Sequence, residues 1–443
     1  MKARYRFLTN PLWAVMLTAT VSAIPATAQT LGVVMDFNTN KAVVFNADTD
    51  TVIGSVPIPD AADLGSCSVS QDKKFAYVTN IRSQIWVLNL TPPSLADGPN
   101  PIPISNVGLS ISMSPDGKFG VVCDGDSLEP VSVVDLAARA EISTFNLGAE
   151  CTSAHVCKDG SVLVTSTDHG LLRRMTLDGT GVLTDTGESL NIFTPNNAFC
   201  SPNANTGGVV DRSGFLTTFT IPGLAPTDSR DFDGLTVSGL VNPSGDRIYA
   251  YGFGGVDSFT YNSATGIMGS VQTGFNVLPP PIPLFGVDQM AIHPGGNKLY
   301  VSRPGSLNVY DATTLALLKS ITDPAISQPT GVCLSSGCPQ PVISNASASP
   351  SSLSPPNHNM VDVTIDYSDS SSCPSTCTLS VTSSEPSGET PDFVVLDAHH
   401  VQLRAERLGD GQGRIYTITI TCTNSSGQSS SETVTVVVPH DQG

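Results

Sequence analysis

Apolar and polar positions along most of this chain repeat one unit: a short apolar run, a cluster of turn-forming residues, and a second apolar run. The clearest copies are Ser70-Gln71-Asp72-Lys73-Lys74-Phe75-Ala76-Tyr77-Val78 and Ser114-Pro115-Asp116-Gly117-Lys118-Phe119-Gly120-Val121-Val122, which start 44 residues apart. Further copies begin at Cys157, Ser201, Asn242 and His293. Two apolar runs around a Gly- or Asn-bearing cluster predict a β-hairpin, because tight turns need residues that accept positive φ. Asp116-Gly117 and Asp159-Gly160 are therefore turn residues rather than catalytic acids.

Each hairpin is one part of a larger unit. A first strand precedes the turn, as at 109–113 or 289–292, and a second follows it, as at 75–79 or 299–302. A third recurs at 84–90, 131–136, 171–177, 215–221, 256–261 and 306–311, and a fourth is marked at 140–145 and 316–321. Four antiparallel strands per repeat of about 44 residues correspond to one blade of a β-propeller. The ends of the array are complementary. Segments 31–37, 41–45 and 51–56 supply a second, third and fourth strand with no first, and 330–334 supplies a first strand with nothing after it. Pairing them completes a seventh blade and removes two open sheet edges. The expectation is an all-β chain, a seven-bladed β-propeller over residues 29–338 closed by its N- and C-terminal strands.

Tyr77-Val78-Thr79-Asn80, with Leu299-Tyr300-Val301-Ser302 as a variant, resembles the YVTN family of β-propeller repeat proteins over residues 29–337. That resemblance implies an exported or surface-layer protein on a fold shared with lactonases and quinoprotein dehydrogenases; it is informative about fold and silent about activity.

After Cys338 the composition turns Ser- and Pro-rich, and 339–356 reads as a linker. From Met360 onward, period-2 alternation over six or more short segments predicts a small β-sandwich at 357–443. Pro355-Pro356-Asn357-His358, Val401-Gln402-Leu403-Arg404-Ala405-Glu406-Arg407, Arg414-Ile415-Tyr416 and Pro439-His440-Asp441-Gln442 resemble the immunoglobulin-like modules of bacterial exported proteins. Arg404, Glu406 and Arg407 read as structural ion pairs rather than a ligand clamp.

Composition narrows the setting. Residues 1–28 carry Lys2, Arg4 and Arg6, an apolar run and Ala26-Thr27-Ala28, the form of a secretory signal, and no later run is long enough to span a membrane. The expected destination is the periplasm or the cell exterior. Ten cysteines suit that oxidising setting. Cys373 or Cys377 is placed to pair with Cys422, and Cys333 with Cys338. A net charge of −18 repels phosphate backbones and so excludes nucleic acid as a partner, leaving a protein or surface ligand.

Candidate chemistry is sparse. No Gly-x-Ser-x-Gly, His-Glu-x-x-His or Cys-x-x-Cys-His motif occurs. Asp63, Glu150, Asp233 and Asp288 precede first strands at similar repeat positions, while His155 and His293 stand near first-strand ends, so these six form the candidate channel-mouth binding set. No cofactor is predicted; converging carboxylates there would suit calcium. A noncatalytic interaction protein is the reading this supports, with a lactonase-like hydrolase as the alternative.

Overall fold

A computed structural model of the chain describes residues 29–59, 64–123, 130–232, 236–252, 255–274, 289–336, 341–370, 375–386, 391–409, 413–424 and 429–440. The signal segment 1–28 lies outside these, as do Asp63, Asp233, Asp288, Cys338 and Cys373. Among the described residues no helix is long and apolar enough to cross a membrane.

The described residues between 29 and 336 form seven antiparallel sheets. Their second strands are Leu31–Asp36, Phe75–Asn80, Phe119–Cys123, Ser161–Ser166, Thr206–Asp211, Arg247–Gly252 and Lys298–Arg303, and we number the sheets 1 to 7 in that order. Second strands such as Ser161–Ser166 are buried on both faces, which is why Val162-Leu163-Val164 reads as a continuous apolar run. Fourth strands such as Ala140–Phe145 alternate exposed and half-buried positions, because one face meets water.

Sheet 1 takes its first strand from the other end of the chain. Pro329–Leu334 pairs antiparallel with Leu31–Asp36, with Val34 opposite Val332 and Val33 opposite Cys333. The first strands of sheets 2 to 7, Leu64–Val69, Ser110–Met113, Ser153–Val156, Pro195–Cys200, Thr236–Val241 and Met290–Ile292, lie beside one another in chain order, and Pro329–Leu334 touches both the last and the first of them. Apolar packing follows the same circuit. Sheets 1 and 2 share one buried cluster around Val44, Val78 and Trp86, and each later pair of neighbours shares its own, up to the cluster of Val34, Phe45, Tyr300 and Val309 between sheets 7 and 1. The core is thus a set of wedges between sheets, the architecture of a β-propeller.

One turn geometry joins the first and second strands of sheets 2 to 7. Lys73, Gly117, Gly160, Ala204, Gly245 and Gly296 occupy the same turn position, with φ of 60°, 70°, 85°, 55°, 73° and 71°. A side-chain lock makes up the rest: Ser114 Oγ donates to Asp116 Oδ1 (2.6 Å) and accepts the Phe119 N–H (3.0 Å), as Ser70 does with Asp72 and Phe75. These bonds hold Asp72 and Asp116 below the ordinary carboxylate range although partial burial works the other way.

Three disulfides join neighbouring sheets: Cys67–Cys333 (sheets 2 and 1), Cys123–Cys151 (3 and 4) and Cys157–Cys200 (4 and 5). The local Cys333–Cys338 bridge expected from sequence proximity is therefore replaced. Circular closure brings Cys333 beside a strand 266 residues away, a neighbour that proximity along the chain does not suggest. Disulfides of this number indicate an oxidising compartment.

The C-terminal part forms two sheets around one core. Val342–Ser349, Met360–Ser370, His400–Arg404 and Phe393–Val395 make the first, and Ser375–Ser383, Gly413–Asn424 and Ser429–Pro439 the second. Val363, Ile365, Leu403, Tyr416, Ile418 and Val436 are buried between them, and Cys377 is bridged to Cys422. The stretch expected as a linker belongs to this unit. Val342–Ser349 pairs with Met360–Ser370, and Leu353 is buried in the core. A register shift between Ser344 and Ser347, with Asn345 at φ 56°, switches the inward side from Ile343 to Ala346 and Ala348, so the alternation was hidden by a bulge.

Candidate functional site

The first strands line the centre of the ring, and their side chains explain how equal repeat positions come to lie side by side. Ser66 Oγ accepts the Ile111 N–H (3.3 Å), Ser110 Oγ the Ala154 N–H (3.1 Å), and Asn197 Oδ1 the Gly239 N–H (3.1 Å). In each case a small polar residue satisfies the backbone of the next sheet's first strand, which has no strand partner on that side. Ser112 Oγ likewise accepts the Val156 N–H (3.0 Å), two residues on from the Ser110–Ala154 contact in both strands, so these neighbouring first strands run the same way. Their starts open on one face of the ring and their ends on the other.

This sorts the candidate residues. Glu150 lies at a strand start, His293 at a strand end, and one mouth does not hold both. His293 Nε2 bonds Asp48 Oδ1 (3.0 Å) of sheet 1, and its Nδ1 accepts the Gly295 N–H (3.0 Å), so it ties sheet 7 to sheet 1. Burial works to raise Asp48, but the Thr30 N–H and His293 outweigh it and hold the carboxyl low. His155 lies within Ser153–Val156, only partly open, and desolvation pushes its imidazole down to about 4. Among the described residues no hydrogen bond or ion pair joins Glu150, His155 and His293 to one another.

Glu150 instead forms a pair that sequence inspection missed. Its carboxylate is buried and contacts His169 Nδ1 (2.6 Å) and the Asp168 N–H, while its own carbonyl accepts from Ser166 Oγ (2.6 Å). Burial raises the Glu150 pKa, but these partners prevail and keep it ionised. An ionised carboxylate can only accept, so Nδ1 carries the proton of this bond, on a ring that is 47% exposed. A signal for the pair existed: extending the antiparallel register Ser153↔Thr165 outward by three residues sets Glu150 opposite Asp168.

Next to this turn stands Phe193, 81% exposed, in the connection from sheet 4 to sheet 5. Its two neighbours are fixed: the Ile192 N–H donates to the Gly170 carbonyl (2.9 Å), and the Thr194 carbonyl accepts from the Arg212 N–H (2.9 Å). Gly170 sits at φ 63°, and a Cβ there would meet the Ile192 carbonyl at 3.0 Å, so the close approach depends on glycine. Arg212 Nε is anchored on Asn196 Oδ1 (3.1 Å). The strand-start face thus carries a ring projecting between the Asp168–His169 turn and Arg212.

The motif residues of the C-terminal unit meet as structural contacts. Arg404 donates to the carbonyls of Pro391 and His358, and Arg407 to those of Pro439 and His440. Their neighbour Glu406 stands 3.9 Å from Arg404 and 3.5 Å from His358. The tighter ion pairs belong to buried Arg414, with Asp392 (2.8 Å) and Glu385 (3.2 Å). Three carboxyl and thiol groups approach one another at Asp369, Cys377 and Cys422, but the two sulfurs are joined in a disulfide and are not available as thiolates.

The sequence matches no family model and no curated protein. By structure the chain is similar to a functionally unknown protein from Desulfotomaculum acetoxidans DSM 771, with TM-score 0.61 and 20% identity, covering 69% of this chain and 99% of that one. It is also similar to a candidate 6-phosphogluconolactonase from Bacteroides uniformis ATCC 8492, with TM-score 0.57 and 16% identity over 69% and 99% of the two chains. At such identities the likeness concerns the fold alone.

Proposed function

We propose that this chain is an exported, noncatalytic binding protein. In this reading a seven-bladed propeller of YVTN type displays the loops of its strand-start face to a protein or surface ligand, and an immunoglobulin-like module acts as spacer or attachment. The observation that carries it is Phe193, a large apolar side chain held out to solvent by a backbone bonded on both sides. Aromatic side chains so placed dominate binding energy at interfaces, and a rigid setting lowers the entropy lost on association. The test compares the mature protein with its Phe193→Ala variant for retention on immobilised cell-surface material. At least a tenfold loss with an unchanged unfolding midpoint supports the reading, and equal retention sinks it.

A lactonase-like hydrolase is the second reading, favoured by the Glu150–His169 pair. A carboxylate-held imidazole with Nε2 toward solvent can take a proton from a water molecule attacking a strained ester carbonyl, and return it to the departing alkoxide. Turnover across a lactone panel, abolished in His169→Gln with the fold intact, would put this reading first. On the binding reading, Phe193→Ala changes retention and neither protein shows turnover.

A further inference from the structure

Resting on the binding reading above, we propose that the Phe193 patch takes a polypeptide that presents an apolar side chain between a basic and an acidic residue. The two flanks of Phe193 differ in charge. On one side the Thr167–Gly170 turn carries exposed Asp168 and half-exposed His169, the latter backed by ionised Glu150. On the other, Arg212 is exposed, is positioned through Nε by Asn196, and forms no ion pair among the described residues. Both turns are tied by backbone bonds to the residues on either side of Phe193, so the backbones of Asp168, Phe193 and Arg212 keep a fixed order along the surface.

Each other class of ligand leaves part of this order unused. Nucleic acid and anionic lipid surfaces are repelled by the net charge of −18, and neither offers a cation to Asp168. A neutral glycan could stack on Phe193 but has no charge for either flank. An extended peptide supplies both charge signs and an apolar side chain within a few residues, advancing about 3.3 Å per residue. The protein's negative field also favours approach by a partner that is basic overall.

A random-peptide phage library selected on the full chain provides the probe. Synthetic copies of the enriched peptides and of their charge-swapped versions are then titrated by fluorescence anisotropy. Expected are peptides with a basic–apolar–acidic order that bind Phe193→Ala about 30-fold more weakly. Arg212→Glu should weaken them at least about tenfold and be partly rescued by a peptide whose acidic residue is replaced by lysine. Unfolding midpoints of both variants check the fold. Peptides that need Phe193 but bind equally well with charges swapped would overturn this proposal and leave the binding reading standing. Enrichment indifferent to Phe193 would overturn both, and no enrichment would overturn the proposal.

Discussion

Two sets of junctions around the ring hold their sheets together by different chemistry. At the junctions of sheets 1–2, 3–4 and 4–5 a disulfide crosses between neighbours. At junctions 2–3, 6–7 and 7–1 a tyrosine does so: Tyr77 donates to the Leu136 carbonyl (3.3 Å), Tyr249 to Ala312 (2.7 Å) and Tyr300 to Ala47 (2.6 Å). In each case the acceptor follows the third strand of the next sheet, and Tyr300 makes the same contact across the closure that Tyr77 makes in mid-chain. Junction 5–6 uses Asn196 and Asn197, which bond Val237 and Gly239, together with Tyr261 of sheet 6, whose hydroxyl donates back to Thr206 Oγ1 of sheet 5 (2.6 Å). Of the copies without that tyrosine, those with Val33, Val121 and Leu163 at the position have a cystine at their forward junction, and the one with Gly208 relies on the side-chain bonds of junction 5–6. The repeat preserves a tie between sheets rather than a residue type.

The largest effect expected from disturbing this arrangement is on the closing bridge. Replacing Cys67 and Cys333 by serine frees a loop of 266 residues and should cost about 6 kcal/mol on the chain-entropy account, with about 4 kcal/mol for the 43-residue Cys157–Cys200 loop. Urea unfolding of the two double variants tests the order, and an equal loss would show that loop length is not what matters.

His155 ranks next. Its imidazole titrates at about 4 in the fold against 6.5 when unfolded, so between those values the unfolded chain binds a proton that the folded chain refuses. Stability is fully present above pH 6.5 and falls as the pH drops toward 4, by up to about 3 kcal/mol. In His155→Gln this slope should flatten in urea midpoints measured across the window; an unchanged slope would assign it to carboxylates.

Among the tyrosines, Tyr300→Phe should be the costliest, about 2 kcal/mol, because its hydroxyl also faces Asp50 Oδ1 at 2.6 Å. Burial and that carboxylate both push the phenol pKa up and keep it a donor. Tyr77→Phe and Tyr249→Phe should cost about 1 kcal/mol each by thermal unfolding. Three equal values would mean that Asp50 adds nothing to the closure.

The smallest effect concerns what both sets of junctions share. Gly117 has φ 70°, and a Cβ there meets nothing closer than 3.4 Å, so Gly117→Ala isolates the backbone cost, about 1 kcal/mol. A loss well above that in calorimetry would mean the turn bears on a junction as well.

Much of the fold was legible because it rests on local rules. Turn residues at a fixed spacing, apolar runs between them and complementary orphan strands at 31–56 and 330–334 led to the pairing of Val34 with Val332. Legibility failed where a bulge reversed the alternation, at Asn345, and where proximity along the chain stood in for proximity in space, at Cys333 and Cys338. It failed again at the site. Glu150 was singled out, but His169 comes into view only when the hairpin register is followed three residues beyond the paired strands, and Ile192-Phe193 reads as two apolar residues of equal standing although the first is buried and the second projects.

By itself the sequence determined periodicity, strand order and the means of closure, since these follow from backbone geometry and from where each segment can bury an apolar side. Tertiary structure alone decided which cysteines meet, which end of the first strands each acid or histidine faces, and which aromatic ring stays in water. Those outcomes depend on contacts between sheets, and a repeat specifies its own strands far more tightly than the surfaces its neighbours present to it.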